Sequence, residues 1–115
     1  MFGSVFTMRP KSGKEDAVLE LFERWDRERR PKVKGTLASH IYRSTDNPKE
    51  WTCAVVFDSR ENYMANAEDP GQDRWYRELV QLLEEEPRFK DGEVLLSHTE
   101  GTGVKRAQPT QTRRS

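Results

Sequence analysis

The chain has 115 residues, room for one domain and a single modest core. Only 33% of them are hydrophobic, 35% are charged, and 20 basic side chains cancel 20 acidic ones. Lys105, Arg106, Arg113 and Arg114 have no acid among the last fifteen residues, so the body is acidic by four, which argues against a nucleic-acid platform on it. The single cysteine, Cys53, leaves no partner for an intrachain disulfide. No charged leader with an apolar run opens the chain and no stretch approaches transmembrane length, so a cytoplasmic location without membrane association is expected.

Phe2–Arg9 alternates in hydrophobicity and reads as a first strand, stopped by Pro10, which cannot donate to a ladder. Ser12-Gly13-Lys14-Glu15 has capping-box spacing and predicts a helix, whose apolar positions Ala17, Val18, Leu21, Phe22 and Trp25 recur at helical intervals. Asp26–Arg30 is its solvated end, with cations in the last turn, and Pro31 and Gly35 bracket the exit. Thr36–Arg43 and Trp51–Phe57 are β-rich runs separated by the turn formers Ser44–Pro48, a hairpin pattern. Asp58 or Ser59 can cap a short helix over Ser59–Ala67, with Glu61 placed to close a capping box. Asp69 and Pro70 supply the cap and first position of a further helix, whose face is Trp75, Leu79, Leu82 and Leu83, with Tyr76 and Val80 beside it. Glu84-Glu85-Glu86-Pro87 ends that helix. Asp91-Gly92 reads as a turn into a last strand, Glu93–Glu100. The order β-α-β-β-α-β predicts an α+β, ferredoxin-like fold with an antiparallel sheet and helices on one face. Gly101–Ser115 is polar, with Val104 its only aliphatic residue larger than alanine, and is expected to be a disordered basic tail after a domain spanning residues 1–100.

The two hairpin strands carry apolar or aromatic residues on both faces, as a sheet covered twice requires, whereas the chain's own helices cover one face. A homodimer with the sheets of two chains face to face is therefore expected. Pairing Ser44 with Trp51 would put His40 and Tyr42 on one sheet face with Cys53, Val55 and Phe57, where His40 could serve as a base near neutral pH. A mid-strand histidine is more often a hydrogen-bonded structural or interface residue than a base. Tyr63 and Trp75 are by type core aromatics that can also wall a cavity, and Trp51 beside a polar turn suits an interface. Cys53 reads as a small buried hydrophobe without a neighbouring cation to activate it. Two distant histidines and no Cys/His/Asp cluster at ligand spacing predict no metal, and no glycine-rich phosphate loop suggests a nucleotide or flavin.

Several short motifs occur in a telling order: Arg9-Pro10-Lys11-x-Gly13-Lys14-Glu15, then Gly35-x-Leu37, Tyr42-Arg43-Ser44 and Phe57-Asp58-Ser59, then Tyr63-x-x-Asn66 and Asp69-Pro70. Over residues 1–100 the chain thereby resembles the antibiotic biosynthesis monooxygenase family, whose members are small dimeric α+β barrels. The resemblance implies a dimeric α/β barrel and, in one branch, cofactor-free oxidation of phenols to quinones. That branch uses an Asn and a Trp on the third strand, a Tyr on the next helix and a later Arg. These positions fall on Cys53, Phe57, Tyr63 and the neighbourhood of Tyr76, where Arg74 and Arg77 are the available cations. The haem-degrading branch would place an Asn, a Trp and a His where this chain has Phe6, Asn66 and no histidine between Asp69 and Phe89, so an axial ligand is lacking.

Two functions follow as expectations. The first is a monooxygenase needing no metal, haem or flavin and acting on an aromatic, polyketide-like or quinol molecule, with Tyr63 and His40 catalytic and Tyr42, Phe57, Asn66 and Trp75 holding the substrate. The second is a non-catalytic dimeric barrel that binds a small hydrophobic ligand. A cavity that receives Tyr63 or His40 favours the first, and a sheet–helix layer packed solid favours the second.

Overall fold

A computed structural model describes residues 1–101 and 103–107. Strand β1 (Phe2–Met8) leads through helix α1 (Glu15–Glu28) and a single 3-10 turn, Arg30–Lys32, to the hairpin β2 (Thr36–Arg43) and β3 (Trp51–Phe57). Helices α2 (Arg60–Ala67) and α3 (Pro70–Gln81) precede strand β4 (Arg88–Glu93). The sheet order is β2-β3-β1-β4 with every neighbour antiparallel, the ferredoxin-like arrangement. Phe6, Met8, Trp51 and Cys53 on the inner sheet face pack against Val18 and Leu21 of α1 and Trp75 and Leu79 of α3. The Trp75 indole also donates to the Leu21 carbonyl at 3.0 Å, tying α3 to α1 inside the core.

Local signals placed two helix starts correctly. Ser59 caps α2, its hydroxyl accepting from the Asn62 N–H at 3.1 Å, and Asp69 caps α3, accepting from the Gly71 N–H at 2.7 Å with Pro70 in the first turn. The capping box expected at Ser12 does not form. Lys14 donates its N–H to the Lys11 carbonyl at 2.9 Å, so Ser12 lies inside a turn and Lys14 opens α1 without a side-chain cap.

Three expectations are corrected. Trp51 lies in the core at 2% exposure, beneath the Arg43 guanidinium, rather than at an interface. The last strand of the main sheet is Arg88–Glu93, not Glu93–Glu100, and Asp91-Gly92 is strand rather than turn, paired with Ser4 and Gly3. Its sequence, RFKDGE, has little β character because it is an edge strand, where charged residues are tolerated and unwanted pairing is discouraged. Finally, the segment expected to be structureless begins with a strand: Gly103–Arg106 (β6) pairs with Leu96–Thr99 (β5) in a separate hairpin that crosses the boundary expected at Glu100. Thr102 and residues 108–115 of that expected tail lie outside the described residues.

Candidate functional site

A cavity of about 650 Å³ opens between the inner sheet face and the helices, within the size range of small-molecule sites. Phe6 of β1 and Cys53, Val55 and Phe57 of β3 form its floor. Trp25 of α1 and Trp75 of α3 stand over that floor, with Phe22 packed edge-on against Trp75 at 4.9 Å between ring centroids. Strand β4 closes one side with Phe89, whose ring lies 4.6 Å from that of Phe6, and with Asp91. The alternation Phe89, Asp91, Glu93 puts Asp91 on the inner face, because residues two apart on a strand share a side.

Tyr63 lies in the first turn of α2, where the Ser59 cap starts the helix directly from the end of β3. Its ring contacts Phe2 and Phe57 at centroid distances of 5.2 and 5.5 Å, and its hydroxyl donates to Asp91 Oδ1 at 2.9 Å. Burial, the dominant cause, together with the Asp91 bond and charge, pushes its pKa up to about 12, although the Ser4 hydroxyl pulls the other way. Tyr63 is thus a proton donor throughout the neutral range, with a carboxylate beside it in the same cavity.

At the end of the cavity near the C-terminus of α1, side chains from three helices meet. Arg29 donates to Asn66 Oδ1 at 3.0 Å and to Gln72 Oε1 at 3.2 Å, and Gln72 Oε1 also accepts from the Trp25 indole at 2.7 Å. Asp69 lies 3.7 Å from the same guanidinium. Sequence reasoning found Asn66 but not Arg29, Trp25, Gln72 or Asp91. Arg29 looked like part of a solvated helix end, and Asp91 like a turn. For Asp91 the overlooked signal was the Phe89-x-Asp91 alternation.

Of the six residues expected at the site, Tyr63, Phe57, Asn66 and Trp75 line the cavity. His40 and Tyr42 do not. The backbone N–H of Ser44 donates to the Glu50 carbonyl, so Arg43, not Ser44, stands opposite Trp51, and the hairpin is one residue out of the expected register. Because strand side chains alternate, that single step moves His40 opposite Ala54 and Tyr42 opposite Thr52, on the face away from the helices. His40 and Tyr63 are therefore on opposite faces, and a shared cavity for the pair is ruled out. Arg74 and Arg77 are exposed and do not line the cavity, Arg77 pairing with Asp73 one turn away. The cationic side chains near the cavity, Arg29 and Arg30, come instead from the end of α1 and the 3-10 turn. Burial drives the Cys53 thiol from 9.0 up to about 12, so it remains a neutral floor residue. Among the described residues, no three His, Cys, Asp or Glu side chains gather where they could hold a metal ion.

A ferredoxin-like sheet roofed on one face by helices, with an aromatic cavity between the layers, is a small α+β architecture. The chain belongs to the antibiotic biosynthesis monooxygenase family, whose model matches residues 1–78. Its fold is shared with a presumed antibiotic biosynthesis monooxygenase of Nitrosomonas europaea at TM-score 0.66 and 19% identity, over 83% of this chain and 99% of that one. It is also shared with presumed family members from Caulobacter crescentus (TM-score 0.72, 12% identity, 82% and 89% covered) and Chloroflexus aurantiacus (0.68, 19%, 87% and 98%). At such identities the likeness is one of fold. No curated protein matches the chain in sequence. Among the described residues no helix is long and apolar enough to cross a membrane.

Proposed function

We propose that this protein binds a phenolic aromatic or polyketide-like molecule, or a quinol, in the sheet–helix cavity and oxygenates it. The observation that carries this reading is the Tyr63–Asp91 hydrogen bond in the wall of an aromatic-lined cavity of about 650 Å³. An electron-rich phenolate can itself reduce dioxygen, so the protein's task is to bind, deprotonate and exclude water. For a phenol, one oxygen atom enters the ring to give a quinone, and the other leaves as water with the phenolic and the displaced ring hydrogens. In this scheme Asp91 accepts the phenolic proton. As Asp91 takes that proton, the single Tyr63 O–H turns from Asp91 to donate to the substrate oxygen, and Trp75 and Phe57 sandwich the ring. His40 has no part in it.

The sheet face away from the helices supports a dimer. Val5 and Tyr42 there are 48% and 59% exposed, Ala54 and Val56 lie beside them, and among the described residues no element covers Val5 or Tyr42. A second copy packed sheet to sheet would bury this face and give His40 and Tyr42 an interface role.

Dioxygen uptake with anthrone and dihydroxynaphthalene substrates tests the reading. Wild type should consume dioxygen well above the buffer rate, and Asp91→Asn should lower kcat by about 10²-fold, as loss of a general base does. Uptake at the buffer rate with every substrate would refute the oxygenase reading. The second reading, a non-catalytic ligand carrier, draws on the floor itself: Phe57 has no polar group and the Cys53 thiol stays neutral. It predicts binding of the same compounds without uptake.

A further inference from the structure

We infer that Arg29 orients Gln72 and Asn66 so that their two amide NH2 groups form a carbonyl-recognition site at one end of the cavity, selecting aromatic ketones and quinones that also carry a phenolic hydroxyl. The inference rests on the proposed binding of an aromatic ligand and adds which polar groups that ligand bears.

The argument starts from donor and acceptor chemistry. Arginine and the tryptophan indole can only donate. A carboxamide facing them must present its oxygen. Gln72 Oε1 is held by Trp25 at 2.7 Å and Arg29 at 3.2 Å, and Asn66 Oδ1 by Arg29 at 3.0 Å, so the orientation of both amides is set by their partners. The NH2 arms then lie on the other side of each planar group. Both residues line the cavity, and among the described residues neither NH2 donates to a protein acceptor. Arg29 is well placed to hold this arrangement, with only 18% of its side chain exposed and three hydrogen bonds or ion pairs fixing its fork. Its charge also draws electron density from the amide oxygens, which makes the N–H groups stronger donors.

The polarity of the cavity is therefore directional. Asp91, beside Tyr63, offers acceptor oxygens, which suit a ligand hydroxyl. Gln72 and Asn66 offer donors, which suit a ligand carbonyl, while the Asp26 and Asp73 carboxylates that also line the cavity are paired with Arg30 and Arg77. The aromatic walls between them take a flat ring. A hydrocarbon of the same shape fills the walls but leaves both amide donors unpaired after they lose water, an unfavourable outcome that produces selectivity.

The test measures the Kd of a hydroxyfluorenone and of the matching hydroxyfluorene, in which the carbonyl is a methylene, by quenching of tryptophan fluorescence. Wild type should prefer the ketone by about tenfold, the worth of a well-made hydrogen bond in a shielded site. Gln72→Glu retains the oxygen that Arg29 and Trp25 hold but turns the NH2 donor into an acceptor, so the preference should fall to near unity. Asn66→Asp makes the same change on a different helix and should also lower the ratio, which covers the case in which one variant fails to fold. A ketone preference that persists in the folded variants, or that is absent from wild type while both compounds bind, overturns the inference and leaves the cavity reading standing. If wild type binds neither compound, the cavity reading fails and takes the inference with it.

Discussion

Replacing Tyr63 with Phe removes one hydroxyl and leaves its ring in contact with Phe2 and Phe57. The lost bond, 2.9 Å to Asp91 Oδ1, ends on an exposed carboxylate that water can solvate in its place. The stability change should therefore fall at the low end for a hydrogen bond, about 0.5–1 kcal/mol, or a Tm drop of about 2–6 °C. The pH dependence is more specific. Tyr63 has its folded-state pKa raised from 10.0 to about 12, so the folded protein holds this proton more tightly than the unfolded chain. The resulting stabilisation is fully present below pH 10 and is lost as the pH rises through about 12. In the variant that alkaline contribution is absent. Cys53 gives its own loss starting near pH 9, common to both proteins, so the informative quantity is the difference between the two stability curves. Urea unfolding from pH 8 to 11.5 measures it, and the gap between wild type and Tyr63→Phe should narrow above pH 10. Ligand Kd or dioxygen uptake at pH 7.5 should worsen by about tenfold through loss of the donor. A stability loss above about 3 kcal/mol with unchanged ligand handling would show that Tyr63 serves packing alone.

Gly71→Ala should act on the proposed carbonyl site, since its added Cβ would come within 2.4 Å of Arg29 Nη1 and push the guanidinium away, lowering the ketone preference with little change in Tm. Gly3→Ala should lose about 2–4 kcal/mol in urea unfolding, because its Cβ would lie 2.0 Å from the backbone carbonyl oxygen of Val55 and neither strand can yield without parting the central pair. Val5→Glu, at the centre of the sheet face proposed to dimerise, should give a monomer by light scattering where wild type gives a dimer. The Cys53 thiol should resist Ellman's reagent at pH 8 in the folded protein and react once the chain is denatured, since it is both 1% exposed and neutral there.

The elements legible in the sequence were those written in local code. The Ser59 and Asp69-Pro70 helix starts, the two hairpin strands and the apolar face of α3 each depend on residues within a turn or two of one another. Strand β4 was not legible, because Lys90, Asp91 and Gly92 disfavour strand on their own and take that form only by hydrogen-bonding to β1. The Arg29 network was equally hidden. Its partners are 37 and 43 residues away in the chain, and only the packing of α1 against α2 and α3 gathers them.

The candidate site turned on a smaller matter, one residue of hairpin register. The Ser44 side chain accepts from the Asn47 N–H and the Glu50 N–H donates to the Asn47 carbonyl, so the turn closes Ser44 against Glu50. Nothing in the composition of Ser44–Pro48 fixes that choice over its neighbour, yet it decides the face of every residue in β2. Near the other end a bulge between Thr36 and Ala38 shifts the register again, and Thr36 and Leu37 line the cavity there. The histidine and tyrosine that looked like active-site residues thus lie on the uncovered face, and Asp91, opposite Ser4 on an unrecognised edge strand, takes the position beside Tyr63. The chemistry proposed for the cavity changes accordingly. A histidine is replaced by an aspartate hydrogen-bonded to Tyr63, so Asp91→Asn should abolish most dioxygen uptake while His40→Gln should leave both its rate and its pH profile unmoved. A profile that shifts in the His40 variant while the dimer persists would return the histidine to the reaction and refute this assignment.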